Sequence, residues 1–186
     1  MPELPDVVVY IERLTALFAG RPLVRLAVFG PALLQTYDPR PEAVAGRKVL
    51  GFRRIGKRIV WELEGGLFLV FHLMIAGRFH WKPGAAWPKT RPPRIVQALL
   101  EFEHGLLQLT EAGTKKRALL SIVMGEAALA EFDQGGIEVL SADRAAFAAA
   151  LRRENHTLKR SLTDPRLFSG IGNAYSDEIL HRARLS

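Results

Sequence analysis

The sequence contains no cysteine. That excludes a disulfide framework and any thiolate metal site. Its five histidines are widely scattered, so no metal is expected in this chain. No apolar run approaches the roughly 18 residues of a membrane span. The N-terminus lacks the charged-then-apolar order of a secretory signal. Internal repeats and low-complexity tracts are absent too. Acidic residues are in the minority, with 19 Asp and Glu against 26 Lys and Arg. What remains is a chain of 186 residues, 48% hydrophobic. That is enough for one large domain or two small ones with a real core. A soluble cytoplasmic protein is expected, with no membrane partner and a monomeric state.

The net charge of +7 and a pI near 10.1 favour a polyanionic partner, nucleic acid before membrane. The cations are clustered. Arg53-Arg54 lies beside Lys57-Arg58, Lys115-Lys116-Arg117 forms a second group, and Arg152-Arg153 with Lys159-Arg160 a third. Each group sits beside a glycine turn or a helix end, as a phosphate track would require.

Apolar residues at Val7, Ile11, Leu14 and Phe18 predict a helix over Leu4–Ala19, with Pro5 tolerated in its first turn. A β-rich stretch follows. Strands are expected at Leu23–Phe29, Lys48–Arg54, Arg58–Leu63, Leu67–Leu73, Gly77–Trp81, Val96–Glu103, Leu106–Thr110 and Ala118–Met124. Lys82–Pro93 is rich in proline and reads as a surface loop. Many short strands with tight turns imply two packed sheets. The composition changes at Gly135-Gly136, after which only helices are expected, one capped by Ser141 over Ala142–Arg153, then Thr157–Thr163 and Ala174–Arg184. The fold class is therefore α+β, with residues 1–124 as a sandwich domain led by a helix, 125–136 as a linker and 137–186 helical.

Met1-Pro2-Glu3-Leu4-Pro5-Asp6 carries candidate chemistry. With Met1 removed, Pro2 offers a secondary amine. Attack on an aldehyde-level carbon gives an iminium with no N–H to lose, an electron sink. Glu3 beside it can move protons at that carbon. Alone the signal is weak, because Pro after Met usually marks nothing more than a helix start. In Gly170-Ile171-Gly172-Asn173, backbone N–H groups at a helix N-terminus suit a phosphate, though a plain capping turn has the same pattern. Gly56-Lys57 between two strands is either an exposed bulge or a cation aimed at a ligand.

Taken together, these segments resemble one family. Gly170-Ile171-Gly172-Asn173-Ala174-Tyr175-Ser176-Asp177-Glu178-Ile179-Leu180 is similar to the helix–two-turn–helix signature of the formamidopyrimidine-DNA glycosylase and endonuclease VIII family. Pro2-Glu3-Leu4-Pro5-Asp6 resembles its N-terminal catalytic motif, and Arg53-Arg54-Ile55-Gly56-Lys57 the loop that carries its lysine. His72-Leu73-Met74-Ile75-Ala76-Gly77 and Gly136-Ile137-Glu138-Val139-Leu140 match two further segments, in the right order. The resemblance implies a bifunctional DNA glycosylase and abasic-site lyase acting on oxidised bases in duplex DNA. Pro2, Glu3 and Lys57 would be catalytic. Asn173, Gly172, Lys159, Arg54, Ile75, Lys116 and Arg117 would bind DNA.

Three departures from the family stand out. The family continues with another helix and usually a cysteine-ligated zinc finger or a zincless equivalent. Here the sequence stops soon after the signature helix, so a partial helix–two-turn–helix domain is expected, with the finger absent and Leu185 left as an apolar end. The family's zinc would belong to that finger, and no cofactor is expected in this chain. Ile75 stands where the family has an intercalating methionine, and Met74 where it has a glycine. Either could wedge into a base stack or belong to the core. The family's Asp-Pro-Arg-Arg-Phe-Gly loop is replaced by Glu111-Ala112-Gly113-Thr114-Lys115-Lys116-Arg117. The alternative function is a catalytically impaired damaged-DNA-binding relic or fragment of the family.

Overall fold

The computed structural model describes residues 2–185; the expectation about Met1 falls outside them. The chain opens with α1 (Leu4–Phe18). Among the described residues nine strands form two antiparallel sheets. They are β1 (Pro22–Leu23), β2 (Arg25–Val28), β3 (Arg47–Ile55), β4 (Arg58–Leu63), β5 (Leu67–His72), β6 (Gly77–Pro83), β7 (Val96–Phe102), β8 (Gly105–Glu111) and β9 (Leu119–Met124). One sheet runs β1-β3-β4-β5-β9 and the other β2-β7-β8-β6. After them come α2 (Glu126–Ala130), β10 (Ile137–Glu138), α3 (Arg144–Arg152), α4 (Leu158–Thr163), β11 (Phe168–Ser169) and α5 (Asn173–Arg182). The mixed α+β architecture is the one the periodicity implied.

The strand expected over Leu23–Phe29 is two strands. Pro22 and Leu23 pair with Lys48 and Arg47 in the first sheet, whereas Arg25–Val28 pairs with Glu101–Ala98 in the second. The chain crosses between sheets at Val24, so this segment ties the two layers together.

The inner faces follow from period-2 alternation. Ile59, Trp61 and Leu63 of β4 and Leu67, Leu69 and Phe71 of β5 point to one core with Leu100, Phe102, Leu107 and Leu109 of the other sheet. Val60, Phe68 and Val70 point the opposite way and are covered with Leu129 of α2. That explains why β5 reads as a continuous apolar run. Phe18 closes the main core, stacked on Phe102 at 4.2 Å between ring centroids and on Trp61 at 5.8 Å.

A second cluster holds the helical part together, with Leu162, Leu167, Phe168, Ile171 and Leu180 at its centre. Two expectations are corrected here. The region is not purely helical, because β10 and β11 pair in parallel, Glu138 opposite Ser169. Ser141 does not cap the helix after it. Asp143 does, its carboxylate accepting the Ala146 N–H at 2.7 Å. Asp is as strong an N-cap as Ser, and the chain needs residues 139–142 to leave the β10 pairing first.

Candidate active site

The N-terminus is fixed by the helix that follows it. Val7, Leu14 and Phe18 bury one face of α1. Its first turn is closed by the Glu3 N–H, which donates to the Asp6 carboxylate at 2.8 Å. Pro2 and Glu3 are both buried.

Two distant turns meet Glu3. The first is the β3–β4 hairpin, where Gly56 takes φ 56° and glycine is favoured because it lacks a Cβ. Lys57 follows it and brings its ammonium to 3.4 Å from Glu3 Oε2. The second is the turn into α5. There the Ala174 N–H donates to Glu3 Oε1 at 3.3 Å, so the carboxylate sits at a helix N-terminus, where the dipole favours an anion. Gly172 lies against both side chains. A Cβ on it would come within 2.1 Å of Lys57 Nζ and 2.3 Å of Glu3 Oε1. Glycine is required at 172 by contact, since its φ of −120° suits any residue.

The convergence opens a cleft of about 270 Å³. Lys57, Arg58, His72, Thr163, Gly172 and Asn173 line it. Asn173 begins α5 and is exposed on the rim. The cleft is lined by two cations, Lys57 and Arg58, and the buried Glu3 carboxylate lies behind its wall, in contact with Lys57 and Gly172. That set can hold an anion at the rim and pass a proton between the lysine and the carboxylate it touches.

The remaining candidates are dispersed. Lys159 forms an ion pair with Asp177 at 2.6 Å, joining α4 to α5. Arg54 is engaged by Glu138 across the gap to the helical part. Lys116 donates to the Glu111 carbonyl, and the Arg117 side chain is exposed. Ile75 is 51% exposed at the tip of the β5–β6 turn, so it is not a core residue. Met74 beside it is half-buried and adopts φ 52°, a left-handed conformation that favours glycine.

Three functional-looking residues were not singled out from the sequence. His72 faces the cleft. Burial first, then the Arg58 and Lys57 charges, pushes it down to about 4. Its Nδ1 accepts the Met74 N–H at 3.0 Å, so the neutral ring carries its proton on Nε2. Glu111 is buried, and its carboxylate accepts the Arg117 N–H at 2.9 Å and the Ala118 N–H at 3.2 Å. Glu138 binds Arg54 and Ser169. For Glu138 the sequence offers a lone acidic residue in an apolar stretch, inside the segment Gly136-Ile137-Glu138-Val139-Leu140. Among the described residues no cluster of three His, Cys, Asp or Glu is placed to hold a metal, and no helix is long and apolar enough to cross a membrane.

Comparison with known proteins bears on this geometry. Residues 1–117 match the model of the formamidopyrimidine-DNA glycosylase N-terminal domain. Formamidopyrimidine-DNA glycosylase of Thermus thermophilus is 34% identical over 100% of the chain and 66% of its own length. That of Moorella thermoacetica is 33% identical over 98% of the chain and 67% of its length. The crystal structure of the MutM (Fpg) protein from Thermus thermophilus superposes with a TM-score of 0.81, at 31% identity over 100% of this chain and 65% of that one. The Lactococcus lactis Fpg solved with abasic-site DNA gives 0.82 at 22% identity, over 96% of this chain and 66% of that one, a likeness of fold. The chain thus spans about two thirds of the length of these relatives. It belongs to the formamidopyrimidine-DNA glycosylase family.

Proposed function

We propose that this protein is a bifunctional DNA glycosylase and abasic-site lyase of base excision repair, acting on oxidised bases in duplex DNA. The observation that carries the reading is the meeting of three segments far apart in sequence. Pro2-Glu3, Lys57 and the Gly172–Ala174 turn close on one buried carboxylate beside the proline. A core arrangement would not need an ion pair facing a cleft.

The chemistry is that of an amine nucleophile. The damaged nucleotide leaves the stack, at a cost of a few kcal/mol that is lowest for damaged pairs. The Pro2 nitrogen lone pair attacks C1′, and the bond from C1′ to the base breaks with its electron pair leaving on the base; the attacking nitrogen gives up its N–H proton and the departing base takes one up. Glu3 delivers a proton to the sugar ring oxygen, the ring opens, and C1′ is left double-bonded to the Pro2 nitrogen as an iminium. That cation acidifies C2′. Loss of a C2′ proton supplies the electron pair that expels the 3′ phosphate. A second elimination can expel the 5′ phosphate. Lys57 serves as the cation for the phosphate beside the lesion and as a proton carrier. Asn173, with the N–H groups at the start of α5, holds a neighbouring phosphate. No cofactor enters any step.

Residues 137–186 act as a helix–two-turn–helix unit gripping the DNA backbone, with Lys159, Lys116 and Arg117 as further phosphate contacts and Ile75 as the wedge beside the extruded nucleotide. Such contacts position DNA without reading its sequence.

Borohydride trapping on an abasic-site duplex tests the proposal, with protein shown by mass to begin at Pro2. A covalent adduct that vanishes in Pro2→Gly supports it. Binding of the duplex with no adduct overturns it and leaves a damaged-DNA-binding protein without catalysis.

A further inference from the structure

Two separate bridges join the β3–β4 turn to the turn before α5, and only one of them is the Glu3–Lys57 contact. The second runs through Arg54. Its Nη1 donates to the Gly56 carbonyl at 3.3 Å and to Glu138 Oε1 at 3.2 Å, and its Nη2 donates to Glu138 Oε2. This is the two-pronged guanidinium–carboxylate geometry, which fixes orientation as well as distance. Glu138 Oε1 also accepts the Ser169 hydroxyl at 2.5 Å. Ser169 is buried and immediately precedes Gly170. Gly170 takes φ 89° and passes so close to Leu4 that a Cβ would meet its methyl group at 3.2 Å. Two residues further on is Gly172, under the Glu3 and Lys57 side chains.

The contacts close a ring. It passes from the Gly56-Lys57 turn to Glu3, to Ala174, back along the chain to Ser169, then through Glu138 and Arg54 to Gly56. The backbone pairing of Glu138 with Ser169 stiffens the far side of the ring. Burial would raise the Glu138 carboxyl, but the hydrogen bonds from Arg54 and Ser169 outweigh it and hold the group below the ordinary carboxylate range. The bridge is therefore charged throughout the working pH range.

We propose that Arg54 and Glu138 are positioning residues that hold the Gly56-Lys57 turn and the Gly170–Ala174 turn at a fixed separation, so that Lys57 and Glu3 meet. The proposal rests on the reading of Glu3 and Lys57 as the reacting site. It also gives Arg54 a role other than phosphate binding. During reaction Glu3 and Lys57 must exchange partners and protons, so they cannot also set the spacing of the turns. A bridge that touches no substrate can. The Arg54 and Glu138 side chains are 21% and 44% exposed. A partly exposed pair of this kind contributes little to global stability, and its loss should be read as lost geometry.

The test compares Arg54→Gln, Glu138→Gln and the double variant with the parent chain. Arg25→Gln, which breaks the Arg25–Glu101 pair on the other sheet, is the control. Amide hydrogen exchange is followed at residues 56–58 and 170–174, and trapping is measured as rate against duplex affinity. Both single variants should exchange about fivefold faster in both turns. Both should lose about tenfold in trapping rate with less than about twofold change in affinity, and the double variant should be no worse than either single one. The control should match the parent. Exchange unchanged in Glu138→Gln overturns the proposal. So does a fall in duplex affinity confined to Arg54→Gln, the result expected of a phosphate contact. If the parent forms no adduct while the exchange pattern appears as expected, the glycosylase reading fails and the positioning role stands.

Discussion

Gly172 lies so close to Glu3 that a β-carbon on the glycine would stand 2.3 Å from one carboxylate oxygen and 2.4 Å from the other. The same carbon would meet Lys57 Nζ at 2.1 Å. Gly172→Ala must therefore push the carboxylate and the ammonium apart. Lys57 is the end of a flexible side chain and can yield, so the fold should survive with a loss of about 1–2 kcal/mol. The trapping rate should fall by about a hundredfold or more, since an ångström of misplacement costs about that much. Parallel thermal melts and trapping assays check this. A Gly172→Ala protein with parental trapping rates would mean that the Glu3–Lys57 contact is not needed for reaction.

His72 makes stability depend on pH. Its folded-state value is about 4, below the ordinary histidine value near 6.5. The unfolded chain takes up a proton first as pH falls, so the contribution is fully present above about pH 6.5 and is lost toward pH 4. The loss amounts to about 3 kcal/mol at most. Arg58 and Lys57 face the ring and add to the effect of burial. Urea melts across this window should show a steeper fall for the parent than for His72→Gln, which cannot titrate. Equal slopes would show that the ring is protonated as readily in the fold as outside it.

Glu111 ties down the Ala112–Arg117 loop from beneath. Its buried carboxylate accepts two backbone N–H groups, those of Arg117 and Ala118. Glu111→Ala removes both acceptors and should cost about 1–3 kcal/mol. Cleavage by trypsin at Lys115, Lys116 and Arg117 should speed up about tenfold in native conditions. A loop no more susceptible than in the parent chain would show that its course is set elsewhere.

Much of this was readable before the fold was known. Strong periodicity located α1 and the strands within a residue or two, because one face of each had to be buried. The pieces of the site were readable from residue types, since Pro2-Glu3, Gly56-Lys57 and Gly170–Asn173 each carry a local chemical signal. What could not be read was their meeting. Only the contacts of Lys57 and Ala174 with Glu3 show that three segments share one carboxylate, and such long-range contacts leave no local pattern. The splitting of the segment at Val24 was hidden for the same reason: sheet membership is decided by partners, not by alternation. Asp143 displaced Ser141 as a cap because both are good caps and the β10–β11 pairing decides where the helix can begin.

Phe18 links the core to the chemistry. It is 1% exposed, and it ends the helix whose start places Pro2. Phe18→Ala should cost about 3–5 kcal/mol. In the folded population the N-terminal residues should also exchange faster, because the buried stripe that anchors α1 would be shortened by its largest member. Calorimetry and amide exchange at Val7–Tyr10 test this. A destabilised protein with unchanged exchange in that turn would show that the N-terminus is held by Glu3 alone.

The most direct measurement of the central claim is the site of the covalent bond. Protein shown by mass to begin at Pro2 is trapped with borohydride on an abasic-site duplex, digested, and sequenced by tandem mass spectrometry. The reduced sugar fragment is expected on the nitrogen of Pro2, in the peptide that also contains Glu3. A fragment carried by Lys57 or any other lysine instead would contradict the assignment of Pro2 as the nucleophile.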